Sequence, residues 1–206
     1  MQNCEGSGIL MSYKALRVPA MIAVFAGIGL IFVPFTEPQR AVQPQVDKFL
    51  APDSDVPSFS LPDLTGRNVS LKSLEGKTVL INFWATWCAP CVAEMPAMEN
   101  LYNQLKQDNF EIVAISVDSN SARSNLEKFV KDKNISFTIL HDPSGEVGRK
   151  FGVEGIPESF FVDEKGRFIA FPDPVLGAAT VRLVSDRPWD SEDFVASVKN
   201  VIEASQ

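Results

Sequence analysis

TVLINFWATWCAPCVAEMPAMENLYNQL, residues 78–105, is the part of the sequence that decides the fold. Its first seven residues form a nearly continuous apolar run, which is typical of a β-strand covered on both faces. From Ala89 to Leu105 apolar residues recur at steps of three and four, which predicts a helix with one buried side. Two cysteines, Cys88 and Cys91, lie where the strand ends and the helix begins. The stretch therefore predicts a central strand and a helix joined by a Cys-x-x-Cys motif.

The position of this motif indicates its chemistry. The first turn of a helix has N–H groups without intrahelical partners and the positive end of the helix dipole, and both stabilise a thiolate. Pro90 restrains the turn between the cysteines, so Cys91 can approach Cys88 closely enough to form a disulfide. We therefore expect a redox-active pair in which Cys88 is the nucleophile and Cys91 resolves the mixed disulfide.

Two other uses of a Cys-x-x-Cys motif are less well supported. A structural zinc site needs four ligands, whereas the chain offers only Cys4 and His141 as further sulfur or imidazole ligands. A structural disulfide between such close neighbours would close a tiny loop and constrain the unfolded chain little. We therefore expect no metal, and we assign Cys4 no role.

The flanking sequence predicts an α/β domain with a central sheet and helices on both faces. A β-hairpin opens it, because short alternating runs on either side of Asp63-Leu64-Thr65-Gly66 carry a turn signal between them. The further predicted elements are a strand at 111–117, a helix at 125–133, a strand at 137–140, a hairpin formed by 159–162 and 167–171, and a closing helix at 191–203.

The N-terminal quarter predicts a membrane anchor. Residues 18–36 run for 19 residues without a charge, which roughly matches a bilayer core of about 30 Å. The alternatives are a buried soluble helix and a cleaved signal peptide, and no small-residue cleavage site follows the run. We expect a short flank at 1–17, a single transmembrane helix at 18–36, a Pro- and Gln-rich linker at 37–56 and the folded domain at 57–206.

The net charge excludes one class of function. The chain carries a formal net charge of −7, whereas a surface that binds nucleic acid needs an excess of Lys and Arg. We therefore expect no nucleic-acid partner.

Two separated motifs carry a family resemblance. FWATWCAPCVAEMP, residues 83–96, and GVEGIPESFFVDEKGR, residues 152–167, resemble the TlpA/ResA/CcmG group of membrane-anchored thioredoxin-like proteins, over about residues 54–204. The resemblance implies a thioredoxin-like fold with a central mixed sheet. It also implies a thiol-disulfide oxidoreductase that needs no cofactor, with its catalytic domain on the periplasmic side of the cell membrane.

The resemblance assigns roles to residues around the motif. Pro157 matches the family's cis-proline, which lies beside the dithiol and leaves the backbone at Ile156 free to pair with an extended substrate. Glu94 matches an acidic position near the dithiol, where a partly buried carboxyl would shuttle protons. The alternative for Glu94 is a solvated acid favoured by the helix dipole. The substrate-binding surface would be formed by Trp87, Ala89, Pro90 and Ile156.

Four further residues have simpler interpretations. Asn82 replaces the buried acid that ordinary thioredoxins carry in this strand, which leaves Glu94 as the better proton carrier. Trp84 is expected to be a core residue at the end of the strand. Glu158 is either the acid of the Pro-Glu pair seen in CcmG-like members or an exposed loop residue. His141 precedes a turn sequence and is expected at the surface.

The resemblance also implies partners. Disulfides of apocytochrome c or of copper-site assembly proteins would be the substrates, and a membrane electron donor of the CcdA/DsbD type would re-reduce the pair. The sequence leaves the direction of electron transfer open, since small changes in thiolate stability shift the reduction potential. Two other functions stay open, a thiol peroxidase related to peroxiredoxins and a non-enzymatic copper chaperone. The first lacks the Pro-x-x-x-Thr-x-x-Cys setting, and the second uses three residues between its cysteines.

Overall fold

The computed structural model describes residues 50–205. The predicted flank, transmembrane helix and most of the linker, together with Cys4, lie outside this range. Within residues 50–205 the structure contains no helix long and apolar enough to cross a membrane. Val56, assigned to the linker from the sequence, is buried, and its N–H donates to the carbonyl of Gly166 at 2.9 Å.

The predicted opening hairpin is present. Strands β1 (Ser60–Pro62) and β2 (Asn68–Ser70) pair antiparallel around a turn that begins at Asp63. The Asp63 carboxylate accepts hydrogen bonds from the backbone N–H groups of Thr65 and Arg67, at 2.8 and 2.9 Å. A turn acid of this kind is what the sequence signal predicts.

The strand and helix around the cysteines form at the predicted places. Strand β3 (Thr78–Trp84) is buried at all seven positions, and helix α1 (Ala89–Leu105) has the bounds that the apolar period predicts. The next strand, β4 (Phe110–Ser116), is also fully buried and runs parallel to β3, with Ile81 opposite Val113.

The remaining elements complete a mixed five-stranded sheet. They are α2 (Arg123–Asp132), β5 (Thr138–His141), α3 (Glu146–Lys150), β6 (Glu158–Val162), β7 (Phe171–Asp173), β8 (Ala178–Thr180), β9 (Leu183–Val184) and α4 (Glu192–Ser205). The strand order is β5-β4-β3-β6-β9, with β3, β4 and β5 parallel and with β6 antiparallel to both β3 and β9. The predicted α/β fold with a central mixed sheet is therefore confirmed.

The sheet has a hydrophobic core on each face because side chains alternate along a strand. From β3, Leu80 and Trp84 join the cluster that contains residues of α1, α2 and α4. The intervening Val79, Ile81 and Phe83 join a second cluster with residues of α3 and of the opening hairpin. Because both faces are covered, β3 reads as a continuous apolar run rather than an alternating one.

The second predicted hairpin is only partly right. Its turn forms at residues 163–166, where the N–H of Asp163 donates to the carbonyl of Arg167 at 2.8 Å. The second strand, predicted at 167–171, forms only in part. Phe168 bridges antiparallel to Val162, and the N–H of Ile169 donates to the carbonyl of Phe161 at 2.9 Å, but the other edge of Phe168 bonds to Asp53 and Ser54. The chain then turns away to form β7, which pairs with β8 in a separate small hairpin that the sequence did not predict.

Candidate active site

Cys88 is the N-cap residue of α1. Its backbone is extended, with φ −88° and ψ 106°, and its sulfur accepts a hydrogen bond from the N–H of Cys91 at 3.3 Å. Pro90 lies in the first helical turn, where a missing N–H costs nothing. The sulfur of Cys88 thus occupies the place where an N-cap side chain normally accepts a bond, and negative charge there is favoured.

The two cysteines are joined by a disulfide and differ in exposure. The S–S distance is 2.05 Å and the Cα atoms are 5.2 Å apart. Cys88 retains 6% of its surface, whereas Cys91 is fully buried. A partner thiol or disulfide can therefore reach Cys88 first, and the roles of nucleophile for Cys88 and resolver for Cys91 stay predictions.

A loop from the other half of the domain closes on Cys88. The Ile156–Pro157 peptide bond is cis, as the resemblance implies. The carbonyl oxygen of Ile156 lies 3.7 Å from Sγ of Cys88. The carbonyl of Pro157 accepts a hydrogen bond from the N–H of Ser185 at 3.0 Å, which fixes the loop against the chain that follows β9. Pro157 is buried and Ile156 half-buried, so a substrate would meet Ile156 first.

Glu94 is buried inside the domain, so its interpretation as a solvated acid is wrong. Its Oε1 accepts a hydrogen bond from Nδ2 of Asn82 at 3.0 Å, and its Oε2 accepts one from Nε1 of Trp189 at 2.8 Å. Burial raises the pKa of Glu94 to about 7, although these hydrogen bonds and one from the N–H of Arg187 act in the opposite direction. A carboxyl with this pKa can both accept and return a proton near neutral pH.

Asn82 holds Glu94 from the central strand. Its Nδ2 also donates to the hydroxyl of Ser159 on the neighbouring β6, at 3.0 Å. Both hydrogens of the amide are therefore used, and the side chain is fully buried. An acid here would place a second negative charge beside Glu94, whereas the amide supplies a donor.

The predicted substrate surface is exposed where the sequence places it. Trp87 is 69% exposed, and Ala89 and Pro90 are exposed beside it at the start of α1. Trp84, in contrast, is fully buried, and its ring lies 5.4 Å from that of Phe129. Trp84 is thus a core residue and Trp87 a surface residue, as predicted. The binding role of Trp87, Ala89 and Pro90 stays a prediction.

Two polar residues expected or considered at the surface, His141 and Glu158, are buried. His141 is buried, not at the surface, because its ring is enclosed at the end of β5, opposite Ser116 of β4, where its Nε2 lies 2.8 Å from the carbonyl oxygen of Asp118. Glu158 is buried in β6, so its interpretation as an exposed loop residue is wrong. Its carboxylate accepts hydrogen bonds from the N–H groups of Glu154 and Gly155, both at 3.1 Å, and so fixes the loop before Pro157.

A buried carboxylate that the sequence did not identify holds the segment before Cys88. Asp118 follows β4 and accepts hydrogen bonds from the N–H and the hydroxyl of Thr86, at 2.9 and 2.6 Å. The hydroxyl of Ser116 donates to the same carboxylate at 2.8 Å. Only the closeness of the strand ends in space brings these groups together, so no local motif could indicate them.

The chain is similar in sequence to known proteins from bacilli. A protein named thiol-disulfide oxidoreductase ResA, from Bacillus thuringiensis subsp. konkukian, is 38% identical over 115 residues, which are 56% of this chain and 65% of the relative. The alignment thus spans slightly less than two thirds of that relative. The ResA of Geobacillus thermodenitrificans is 34% identical over 153 residues, which are 74% of this chain and 82% of the relative.

Solved structures agree in fold. A Chlorobium tepidum protein with the provisional name thiol:disulfide interchange protein DsbE superposes with a TM-score of 0.62 at 30% identity, over 74% of this chain and 98% of that one. A thiol:disulfide interchange protein from a Bacteroides species superposes with a TM-score of 0.58 at 25% identity, over 74% of this chain and 91% of that one.

The sequence model of the AhpC/TSA family matches residues 52–170, which include both cysteines and the cis-proline loop. This match spans more than half of the 206 residues. The expected resemblance to ResA and to CcmG-like (DsbE) proteins is confirmed as well. The chain therefore belongs to the AhpC/TSA family and, within the thioredoxin fold, to its ResA- and DsbE-like members.

Proposed function

We propose that the chain is a thiol-disulfide oxidoreductase that exchanges electrons with disulfides of other proteins through Cys88 and Cys91. The observation that carries this proposal is the hydrogen bond from the N–H of Cys91 to Sγ of Cys88, at the N-cap of α1 and at the more exposed sulfur of the pair. This donor stabilises negative charge on the sulfur that a partner reaches first. The names of the relatives, thiol-disulfide oxidoreductase and thiol:disulfide interchange protein, support the same activity.

The reaction transfers two electrons in two steps. The Cys88 thiolate attacks one sulfur of the partner's disulfide, that S–S bond breaks, and the other partner sulfur leaves as a thiolate. Cys91 then loses its proton and attacks Sγ of Cys88, which releases the partner's second sulfur. The partner becomes a dithiol and this chain becomes the Cys88–Cys91 disulfide, the state in which the two sulfurs are 2.05 Å apart.

Glu94 is proposed to take the proton of Cys91 in the second step. The two residues lie three positions apart on α1, so their side chains are neighbours on the helix. Both are buried, and no solvated base can therefore approach Cys91 directly. With a pKa of about 7, Glu94 can hold the proton and return it when the pair is reduced again.

The partners are proposed from the resemblance to the ResA and CcmG-like group. The chain would act as a reductant of apocytochrome c or of copper-site assembly proteins, on the periplasmic side of the membrane that residues 18–36 would cross. A thiol reductant in an oxidising compartment needs its own supply of electrons, so a membrane donor of the CcdA/DsbD type belongs to the proposal.

Reduction of insulin disulfides by the purified chain, together with its reduction potential, tests the proposed activity. The wild-type chain should reduce insulin disulfides, and its reduction potential should be as low as that of a protein reductant. Cys88→Ser should abolish the reaction. A Cys91→Ser variant expressed in the source organism should trap mixed disulfides, and their identification would name the substrate. Equal activity in Cys88→Ser would reject the proposal.

One alternative has an observation in its favour, since the matched family model is that of AhpC/TSA proteins. A thiol peroxidase of the predicted kind needs Thr three residues before its reactive Cys, where this chain has Ala85. Consumption of hydrogen peroxide by the reduced chain, at a rate no higher than that of a free thiol, would exclude this function. Saturable consumption that needs Cys88 would favour it.

A further inference from the structure

A buried ion pair links the small β7–β8 hairpin to the chain that covers Glu94. Nε of Arg187 donates to Oδ2 of Asp173 at 2.9 Å, and the side chains are only 7% and 0% exposed. Asp173 ends β7, and its Oδ1 accepts a hydrogen bond from the N–H of Val175 at 2.8 Å. The ion pair therefore joins Asp173, where the turn of the β7–β8 hairpin begins, to Arg187, which lies five residues before α4.

The guanidinium of Arg187 also organises its own segment. Its Nη1 donates to the carbonyl oxygens of Val184, Ser185 and Asp186, at 2.6, 3.2 and 3.0 Å. We call residues 184–189 the closing segment. A planar guanidinium can donate to a carboxylate and to several carbonyls at once, which a Lys ammonium in the same place cannot do with the same geometry.

The closing segment supplies two of the three hydrogen bonds to Glu94. Nε1 of Trp189 donates to Oε2 at 2.8 Å, and the N–H of Arg187 donates to the same carboxylate. The third donor is Asn82 on β3, and the charged group that opposes ionisation of Glu94 is Asp186 in the closing segment. Apart from Asn82, every hydrogen-bond donor to Glu94, and the charged group that acts on it, thus belongs to residues 184–189.

Aromatic packing gives a second connection between β7 and Trp189. The ring of Phe171 in β7 stacks on Phe161 with centroids 4.2 Å apart, and it lies 5.1 Å from Phe194 in α4. Phe194 in turn meets Trp189 edge-on at 4.9 Å. The hairpin therefore contacts the closing segment through both the ion pair and this aromatic row.

We propose that Asp173 and Arg187 are positioning residues, which hold the closing segment over Glu94 and thereby keep its carboxyl dry and its two donors in place. The proposal rests on the proposed function for its purpose, because a proton carrier for Cys91 must keep a fixed environment. Asp173 and Arg187 are proposed to act through Glu94, and not on the substrate or the cysteines directly. Loss of the ion pair between Asp173 and Arg187 should admit water to Glu94 and release the indole of Trp189 from its hydrogen bond.

The indole resonances of the full-length oxidised chain test this without any substrate. The chain has three tryptophans, so a ¹⁵N-Trp spectrum has three indole signals. In wild type, the Trp189 signal should follow pH with a midpoint at about 7, because its N–H donates to Glu94. Glu94→Gln should abolish this titration and so identify the group that causes it.

Asp173→Asn and Arg187→Lys are the test variants. Each should lower the midpoint towards the ordinary value for Glu, because desolvation is the largest cause of the raised pKa. Each should also speed hydrogen exchange at Nε1 of Trp189 by about tenfold or more. Asp173→Asn leaves the buried charge of Arg187 unpaired and could for that reason fail to fold. Arg187→Lys keeps a cation beside Asp173 and so provides a second variant.

Two controls keep the outcome clear. Glu146→Gln removes an exposed ion pair with Lys150 and should leave both readouts unchanged. The signal of the buried Trp84 should keep its place in every variant, which reports that the fold is retained. An unchanged or raised midpoint with slow exchange in both folded variants would overturn the proposal.

The same variants separate this proposal from the proposed function. In insulin reduction, the pH at which the rate changes should move down with the midpoint of Trp189. If Cys88→Ser were as active as wild type, the proposed function would fail while the indole titration stayed as it is. If the titration failed to respond, the positioning role would fail while disulfide exchange remained.

Discussion

The side-chain amide of Asn82 donates a hydrogen bond of 3.0 Å to Oε1 of Glu94, and both residues are buried. The pair joins the central strand to the helix that carries the cysteines, 12 positions further along the chain. It places the proton carrier on the helix and its support on the strand. Most of the behaviour expected of this site follows from the environment of Glu94.

Glu94 makes the free energy of unfolding depend on pH. Its pKa is raised from 4.5 to about 7 in the folded state, so between these values the folded chain holds a proton that the unfolded chain has lost. This stabilisation is fully present below pH 4.5 and is lost as pH rises through 7. Relative to wild type, Glu94→Gln should therefore gain about 3 kcal/mol between pH 4 and pH 8.

Urea unfolding at several pH values measures this difference. The exposed Glu203→Gln is the matched control and should follow wild type at every pH. A constant difference between Glu94→Gln and wild type across the range would contradict the raised pKa.

Glu94 should also govern release of the partner. Glu94→Gln removes the group proposed to accept the proton of Cys91, so the attack of Cys88 should be little changed while resolution slows by about 100-fold. Quenched-flow mixing of the reduced chain with a peptide disulfide, stopped by acid and followed by mass spectrometry, separates the attack of Cys88 from the resolution by Cys91. The mixed disulfide should accumulate in Glu94→Gln but not in wild type. Equal accumulation in both would show that another group takes the proton.

Thr86 should matter for stability through a single hydroxyl. Its Oγ1 donates to Oδ1 of the buried Asp118 at 2.6 Å, and Thr86→Val keeps the shape but leaves that oxygen unpaired. We expect a loss of about 1–3 kcal/mol in the free energy of unfolding, measured in urea. Thr86→Ser retains the hydroxyl and should recover most of this loss. A Thr86→Val variant as stable as Thr86→Ser would mean that the hydroxyl is replaced by water.

Trp87 should act in binding and not in folding. It is 69% exposed, so Trp87→Ala should change the free energy of unfolding by no more than about 0.5 kcal/mol. The variant should lose activity towards a protein disulfide through a higher KM and react normally with a small disulfide such as oxidised glutathione. Equal loss with both substrates would assign Trp87 to the chemistry at Cys88 instead.

The local part of the fold was predictable from the sequence. The bounds of α1 follow from the apolar period and from the cysteine at its N-cap, and both signals lie within adjacent residues. The opening hairpin is recognised for the same reason, since Asp63 bonds to residues two and four positions later. Where short-range physics decides the structure, the prediction and the structure agree.

Other features depend on contacts between distant residues. Trp189 lies 95 positions from Glu94, and its place beside that carboxyl follows from the path of the β7–β8 hairpin, which no sequence signal marked. From the sequence His141 is expected at the surface because a turn follows it, yet its side chain is buried and its Nε2 lies 2.8 Å from the carbonyl oxygen of Asp118. Hydropathy alone cannot distinguish a buried, hydrogen-bonded polar residue from an exposed one.

Selective alkylation of the reduced chain tests the central claim most directly. Iodoacetamide in less than stoichiometric amount, at pH values from 5 to 9, would be followed by mass spectrometry of the peptides that contain Cys88 and Cys91, with free N-acetylcysteine as the reference thiol. The account predicts that Cys88 is modified first and at a lower pH than the reference, because the N–H of Cys91 and the start of α1 stabilise its thiolate. Modification of Cys91 before Cys88, or of Cys88 only where the reference thiol also reacts, would contradict it.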